Sequence, residues 1–105
     1  MIKRDYLERL LEEMAQLANR VIGRAAEHPT ETRREIDAAY SQVGVPTLVL
    51  DRLDPASIRM MSGDKVGALV KLLETDAEVS ELLGDAPRAR RRRALAHALA
   101  ETGIS

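Results

Sequence analysis

The chain has no cysteine. That excludes disulfides, iron–sulfur clusters and thiol catalysis, and it fits a reducing compartment such as the cytoplasm. There is no phenylalanine or tryptophan, and only two tyrosines, Tyr6 and Tyr40. Stacking platforms for bases are therefore nearly absent, and a core must be built from aliphatic side chains. No apolar run approaches the roughly 20 residues needed to cross a bilayer, so no membrane association is expected. Lys3 and Arg4 open the chain, but Glu8, Arg9, Glu12 and Glu13 interrupt the stretch that follows. That pattern is not a secretory signal peptide. Net charge is also close to nil, with 16 basic against 17 acidic residues. A neutral total exerts no long-range pull on nucleic acid or on a lipid surface.

What is present favours helices. Ala, Leu, Arg and Glu dominate, all good helix formers, and 105 residues suit one domain, 1–105. The expected fold is all-α, with four main helices at 2–27, 31–43, 65–83 and 88–102 and short helices within 47–61, arranged as antiparallel hairpins.

The first helix is the longest. Leu7, Leu10, Leu11, Met14, Leu17, Ala18, Val21, Ile22 and Ala25 repeat at i, i+3, i+4, i+7 and define one apolar face. Arg4–Glu8, Asp5–Arg9 and Arg9–Glu13 have the spacing of helical ion pairs. Pro29 pushes His28 out of the helical region. A second helix follows, capped by Thr30 or Thr32, the latter with Glu35 at capping-box spacing. Its stripe is Ile36, Ala39, Tyr40 and Val43, and Gly44 with Pro46 ends it.

Leu48 to Leu53 reads as a short helix after a Thr47 cap, favoured over a short strand because β-branched residues are few and no partner strand is visible. Asp54-Pro55 starts another, which turns Ile58 and Met61 inward. Ser62-Gly63-Asp64 forms a turn, with Asp64 as the next cap. The third main helix is apolar over a wide arc, through Val66, Leu69, Val70, Leu73 and Ala77 and through Leu72, Val79 and Leu83. Thr75 and Glu78 also have capping-box spacing, which leaves room for a break near Thr75. After Gly84-Asp85-Ala86-Pro87 the last helix presents Leu95, Ala98 and Leu99, and Gly103 closes it.

Three stretches resemble a family of small bacterial helical proteins carrying a domain of unknown function. They are Ile2-Lys3-Arg4-Asp5-Tyr6-Leu7, Leu50-Asp51-Arg52-Leu53-Asp54, and Leu82-Leu83-Gly84-Asp85 with Ala89 and Ala94-Leu95. The last of these also resembles half of a tetratricopeptide-type repeat, in which a Gly-Asp turn precedes an alanine four residues on. Arg93 departs from that pattern, which has a bulky apolar residue there. The resemblance implies an all-helical fold and no catalytic residues.

The conspicuous polar feature is the cluster Arg88, Arg90, Arg91, Arg92 and Arg93. One reading is a phosphate site on nucleic acid, or a contact for an acidic partner. The other is internal pairing, because Glu74, Asp76, Glu78, Glu81 and Asp85 precede the turn and flank the arginines in an antiparallel hairpin. Cations at a helix N-terminus are unfavourable and need compensation. Arg91 and Arg92 also lie one turn before Leu95, where their stems can cover core residues. Internal pairing is the favoured reading, and nucleic acid is disfavoured as a partner.

His28 and His97 are too far apart in pattern to form a metal site, and no ligand spacing appears. There is no glycine-rich phosphate loop and no serine in a nucleophile elbow. No cofactor, metal or catalytic residue is expected, so the chain reads as a non-enzymatic module that binds another protein or a second copy of itself. Tyr6 and Tyr40 read as rim residues able to hydrogen-bond across the first hairpin. The candidate interface is Leu7, Leu11, Met14, Ala18 and Met60, on the argument that the apolar face of the first helix is too long for the short second helix to cover.

Overall fold

The computed structural model describes residues 2–102, with side chains over 5–101. The pair Arg4–Glu8 and the stop at Gly103 lie outside the described residues. The fold is all-α, and no strand occurs among the described residues. The helices are α1 (Ile2–Arg24), α2 (Pro29–Gln42), α3 (Thr47–Leu50), α4 (Pro55–Ser62), α5 (Val66–Leu82) and α6 (Ala86–Thr102), with a 3₁₀ turn over Gly63–Lys65 before α5.

Helix identity follows the apolar period, and helix ends follow local chemistry. α1 stops at Arg24, three residues before the expected 27, and His28 N–H closes onto the Arg24 carbonyl at 2.9 Å. α2 starts at Pro29 rather than at 31, with His28 in the cap position and no side-chain cap. Proline suits the first helical position because its missing N–H is not needed there. Thr32 therefore sits inside the helix, buried, and its hydroxyl finds no protein partner among the described residues. The expected capping box is absent for that reason. Thr47 does not cap α3 either: Pro46 holds that position, and the Thr47 hydroxyl donates to Asp37 at 3.0 Å. Asp54 does cap α4, accepting the Ser57 N–H at 3.2 Å. Lys65 rather than Asp64 stands at the cap position of α5. No break occurs at Thr75, whose hydroxyl donates back to the Lys71 carbonyl within a continuous helix.

α2 and α5 end alike. Gly44 and Gly84 have φ of +89° and +82°. In each case the next N–H reaches back to a carbonyl five residues earlier, Val45 to Tyr40 at 3.1 Å and Asp85 to Ser80 at 2.8 Å. This is the Schellman closure, which satisfies the last carbonyls of the helix and favours glycine.

α5 is the centre of the molecule, not α1. It packs against α6 along its length and also against α1 and α2. Its wide apolar arc is what allows this, and Leu69, Leu72, Leu73, Ala77 and Val79 are all buried. α1 lays Leu10, Met14, Leu17 and Val21, with Ala25 just past its end, on this arc, on Ile36 and Ala39 of α2 and on Val43 just after α2. Most of its long face is thus covered within one chain, with Leu11 left exposed. Burial of each such large side chain contributes about 1.5–3 kcal/mol.

Pairings fix the directions. Arg20 and Arg24 meet Glu35, and Glu13 meets Gln42, so α1 and α2 run antiparallel. Arg33 at the start of α2 lies 3.7 Å from Asp85 at the end of α5. The ammonium of Lys65 sits 5.7 Å from the centre of the Tyr6 ring. α1 and α5 therefore run parallel, with α2 and α6 opposed to them. The short α3 and α4 cross back over this layer, buried at Leu50 and Ile58. Met61 is not turned inward as expected but is about half exposed. Of the helical ion pairs expected along α1, Asp5–Arg9 and Arg9–Glu13 do not form among the described residues.

Candidate functional site

The arginine cluster divides by helical phase. Arg88 and Arg92 are one turn apart and share a stripe with Leu95 and Leu99, so both turn inward. Arg92 is only 2% exposed. Opposite them on α5 is Asp76, on the same stripe as Leu69, Leu72 and Ser80 and wholly buried. A lone carboxylate could not stay charged there, since burial of an unpaired ion is prohibitive.

Asp76 is not alone. Arg88 donates to it twice, from Nε at 3.1 Å and from Nη2 at 3.0 Å. Arg92 Nε donates at 3.0 Å, the Tyr40 hydroxyl at 2.6 Å and the Ser80 hydroxyl at 3.1 Å. Burial pushes the Asp76 carboxyl up, but the bonds from Arg88 and Tyr40 and the charges of Arg88 and Arg92 win and hold it below its ordinary range. Burial and the adjacent Asp76 carboxylate push the Tyr40 phenol well above its usual value. Burial opposes the charge on Arg88 and Arg92, yet their carboxylate partners keep both firmly protonated. Tyr40, read from the sequence as a rim residue able to bond across the first hairpin, is instead wholly buried. It reaches past that hairpin to α5.

The network extends outward. Arg92 Nη1 donates to Asp51 at 2.8 Å, and Arg91 approaches the same oxygen at 3.5 Å. The bond from Arg92 holds Asp51 below the ordinary carboxylate range, against a smaller effect of burial. Arg88 also lies 3.7 Å from Asp37, and Arg93 pairs with Glu81. Three carboxylates, Asp37, Asp51 and Asp76, thus face three guanidiniums, Arg88, Arg91 and Arg92. Of the five arginines, Arg90 is the one that reaches no carboxylate among the described residues. Each oxygen of Asp76 already accepts at least two donors and none faces solvent, so this cluster offers no free valence to a substrate.

Other candidates fall elsewhere. Met14 and Ala18 belong to the core and are not presented to a partner, and Leu7 is half-buried. Leu11 is exposed beside Gly67, and Met60 is 84% exposed. Leu48, at 82%, was not singled out from sequence, and with Leu53 and Met61 it joins Met60 within residues 48–61. That segment is held firmly. Asp51 is bonded to Arg92, Thr47 to Asp37, and Arg59 donates to the Leu99 carbonyl of α6. His28 is exposed, and His97 lies 3.3 Å from Glu101. No group of three or more His, Asp or Glu side chains that could hold a metal occurs among the described residues. An open groove of about 330 Å³ runs between α1 and α2, floored by Met14, Leu17 and Ala39. No helix among the described residues is long and apolar enough to cross a membrane.

No family model, curated protein or solved structure matches the chain.

Proposed function

We propose that this chain is a non-enzymatic helical module that binds another protein through the α3–α4 segment. One observation carries the reading: Leu48, Leu53, Met60 and Met61 are exposed together on a segment tied down by Asp51, Thr47 and Arg59. Apolar side chains left in water on a mobile loop say little. Held on anchored short helices, they cost less ordering entropy when a partner covers them. Methionine suits such a surface because its thioether adapts to a partner's shape. The preferred occupant is the apolar face of a helix or groove in another protein.

The closed valences of Asp76 support a role for the arginine cluster in holding the fold rather than in chemistry. The same pairing weighs against the alternative, a nucleic-acid accessory protein, because Arg88, Arg91, Arg92 and Arg93 each already face a carboxylate.

Photo-crosslinking in the native host tests the proposal. A benzophenone side chain at Met60 should give a discrete protein adduct that the same group at exposed Arg34 does not. Adding Leu48→Asp should remove the adduct while leaving helicity unchanged. Identical adduct patterns at the two positions would reject the α3–α4 segment as a docking face.

A further inference from the structure

Between Pro46 and the start of α4 the chain bonds mainly to itself. Val49 N–H donates to the Pro46 carbonyl at 2.9 Å, and the Arg52 and Leu53 N–H groups donate to the Val49 carbonyl at 3.0 and 3.2 Å. Among the described residues no backbone bond joins 47–53 to another helix. Leu50 is the one residue of the stretch that is buried. Among the described residues, two polar ties hold it to the long helices. Thr47 donates to Asp37 of α2 at 3.0 Å, in solvent. Asp51, half-exposed, accepts Arg92 Nη1 of α6 at 2.8 Å, with Arg91 Nε 3.5 Å from the same oxygen. The ties are unequal. A solvent-exposed hydroxyl bond gains little over a bond to water. The Arg92 guanidinium is buried and already fixed from its other side by Asp76, so its bond to Asp51 is charge-assisted and pre-aligned.

We infer that residues 47–53 are a strap with a latched and an open form, and that Asp51 is the latch. Opening breaks the two ties and uncovers Leu50. It also melts α3, because a single turn of helix does not persist without packing. Arg92 then turns Nη1 to water while its Nε stays on Asp76, which keeps its bonds from Arg88, Tyr40 and Ser80 as well. The buried charge is never left unpaired, so the four long helices stay packed when the strap lifts. The open form is the minor one, because the latch bond favours the other. On the docking role proposed above, on which this part rests, the latch also regulates the face. Leu48 and Leu53 ride on the strap while Met60 and Met61 ride on α4, so only the latched form presents all four together.

Amide hydrogen exchange followed by NMR on the full chain, in urea too dilute to unfold it, tests this. Val49, Arg52 and Leu53 should exchange through an opening that urea does not speed, because it exposes little surface. Leu72 and Leu73 of α5 should exchange only through global unfolding, which urea does speed. Asp51→Asn should speed the strap amides about tenfold, by weakening the latch. Tyr40→Phe breaks a bond that survives opening, so it should speed Leu72 and Leu73 and leave the strap amides unchanged. Strap amides that follow the urea dependence of α5 overturn the inference. So do strap amides indifferent to Asp51→Asn, or ones that Tyr40→Phe speeds as much as it speeds α5. Asp51→Lys sets a like charge against Arg91 and Arg92 and should open the strap in most molecules, with loss of the Met60 adduct. An undiminished adduct with the strap open rejects the link between latch and docking. A wild-type chain without the adduct rejects the docking face, and the exchange result then stands by itself.

Discussion

Asp76 accepts from four side chains, drawn from α2, α5 and α6. Its removal and the removal of one donor should differ sharply. Asp76→Asn leaves two inward guanidiniums without their shared counter-charge, and unpaired buried charge costs about 3–5 kcal/mol. Tyr40→Phe removes one hydrogen bond to a charged acceptor that keeps its other donors, at about 1–3 kcal/mol. Urea unfolding followed by circular dichroism measures both. If Asp76→Asn costs no more than Tyr40→Phe, the charge balance is not what holds the site. Part of this site is legible in the sequence. Asp76 interrupts an apolar stripe between Leu72 and Ser80, and Arg88 and Arg92 share the stripe of Leu95 and Leu99, so polar residues in apolar phase were the signal. The other members are not legible, because Tyr40 and Asp51 lie 36 and 41 positions from their partners and reach them only through tertiary packing.

At the level of elements, two glycines in unlike settings give opposite expectations. Gly84 sits at φ +82° in the closure of α5, where a side chain is strained. Gly84→Ala should cost about 1–2 kcal/mol. Gly23 lies in the exposed last turn of α1, and an added Cβ there would meet nothing within 4 Å. Gly23→Ala should instead stabilise by about 0.5–1 kcal/mol, because alanine loses less backbone entropy in a helix. Thermal unfolding of the pair should shift in opposite directions, and a shift in the same direction would contradict the assigned conformations. The helices themselves are legible because the 3.6-residue period runs through each long segment. Their partners are less so. The short stripe of α2 cannot cover α1, and that much is readable. That α5 supplies the rest, running parallel to α1, depends on how the α3–α4 crossover returns the chain. No local pattern encodes that return.

For the whole molecule, the buried network sets a pH window with two distinct edges. Asp76 and Asp51 have folded-state pKa values below those of the unfolded chain. Their contribution is therefore present above the unfolded value of about 4 and is lost as pH falls through the lower folded values. Tyr40 is shifted the other way. The unfolded phenol ionises near pH 10, while the buried one beside Asp76 resists, so its contribution is full below that pH and declines as pH rises above it. Urea midpoints measured across this range should hold level between about pH 5 and 9 and fall on either side. Tyr40→Phe acts on both edges, for different reasons. It should flatten the alkaline fall, since no phenol remains at that site to ionise. It should also soften the acid fall, since Asp76 loses a bond that lowers its pKa. If the alkaline fall is unchanged in Tyr40→Phe, another group sets that edge, and the bond between Tyr40 and Asp76 is not what couples α2 to α5.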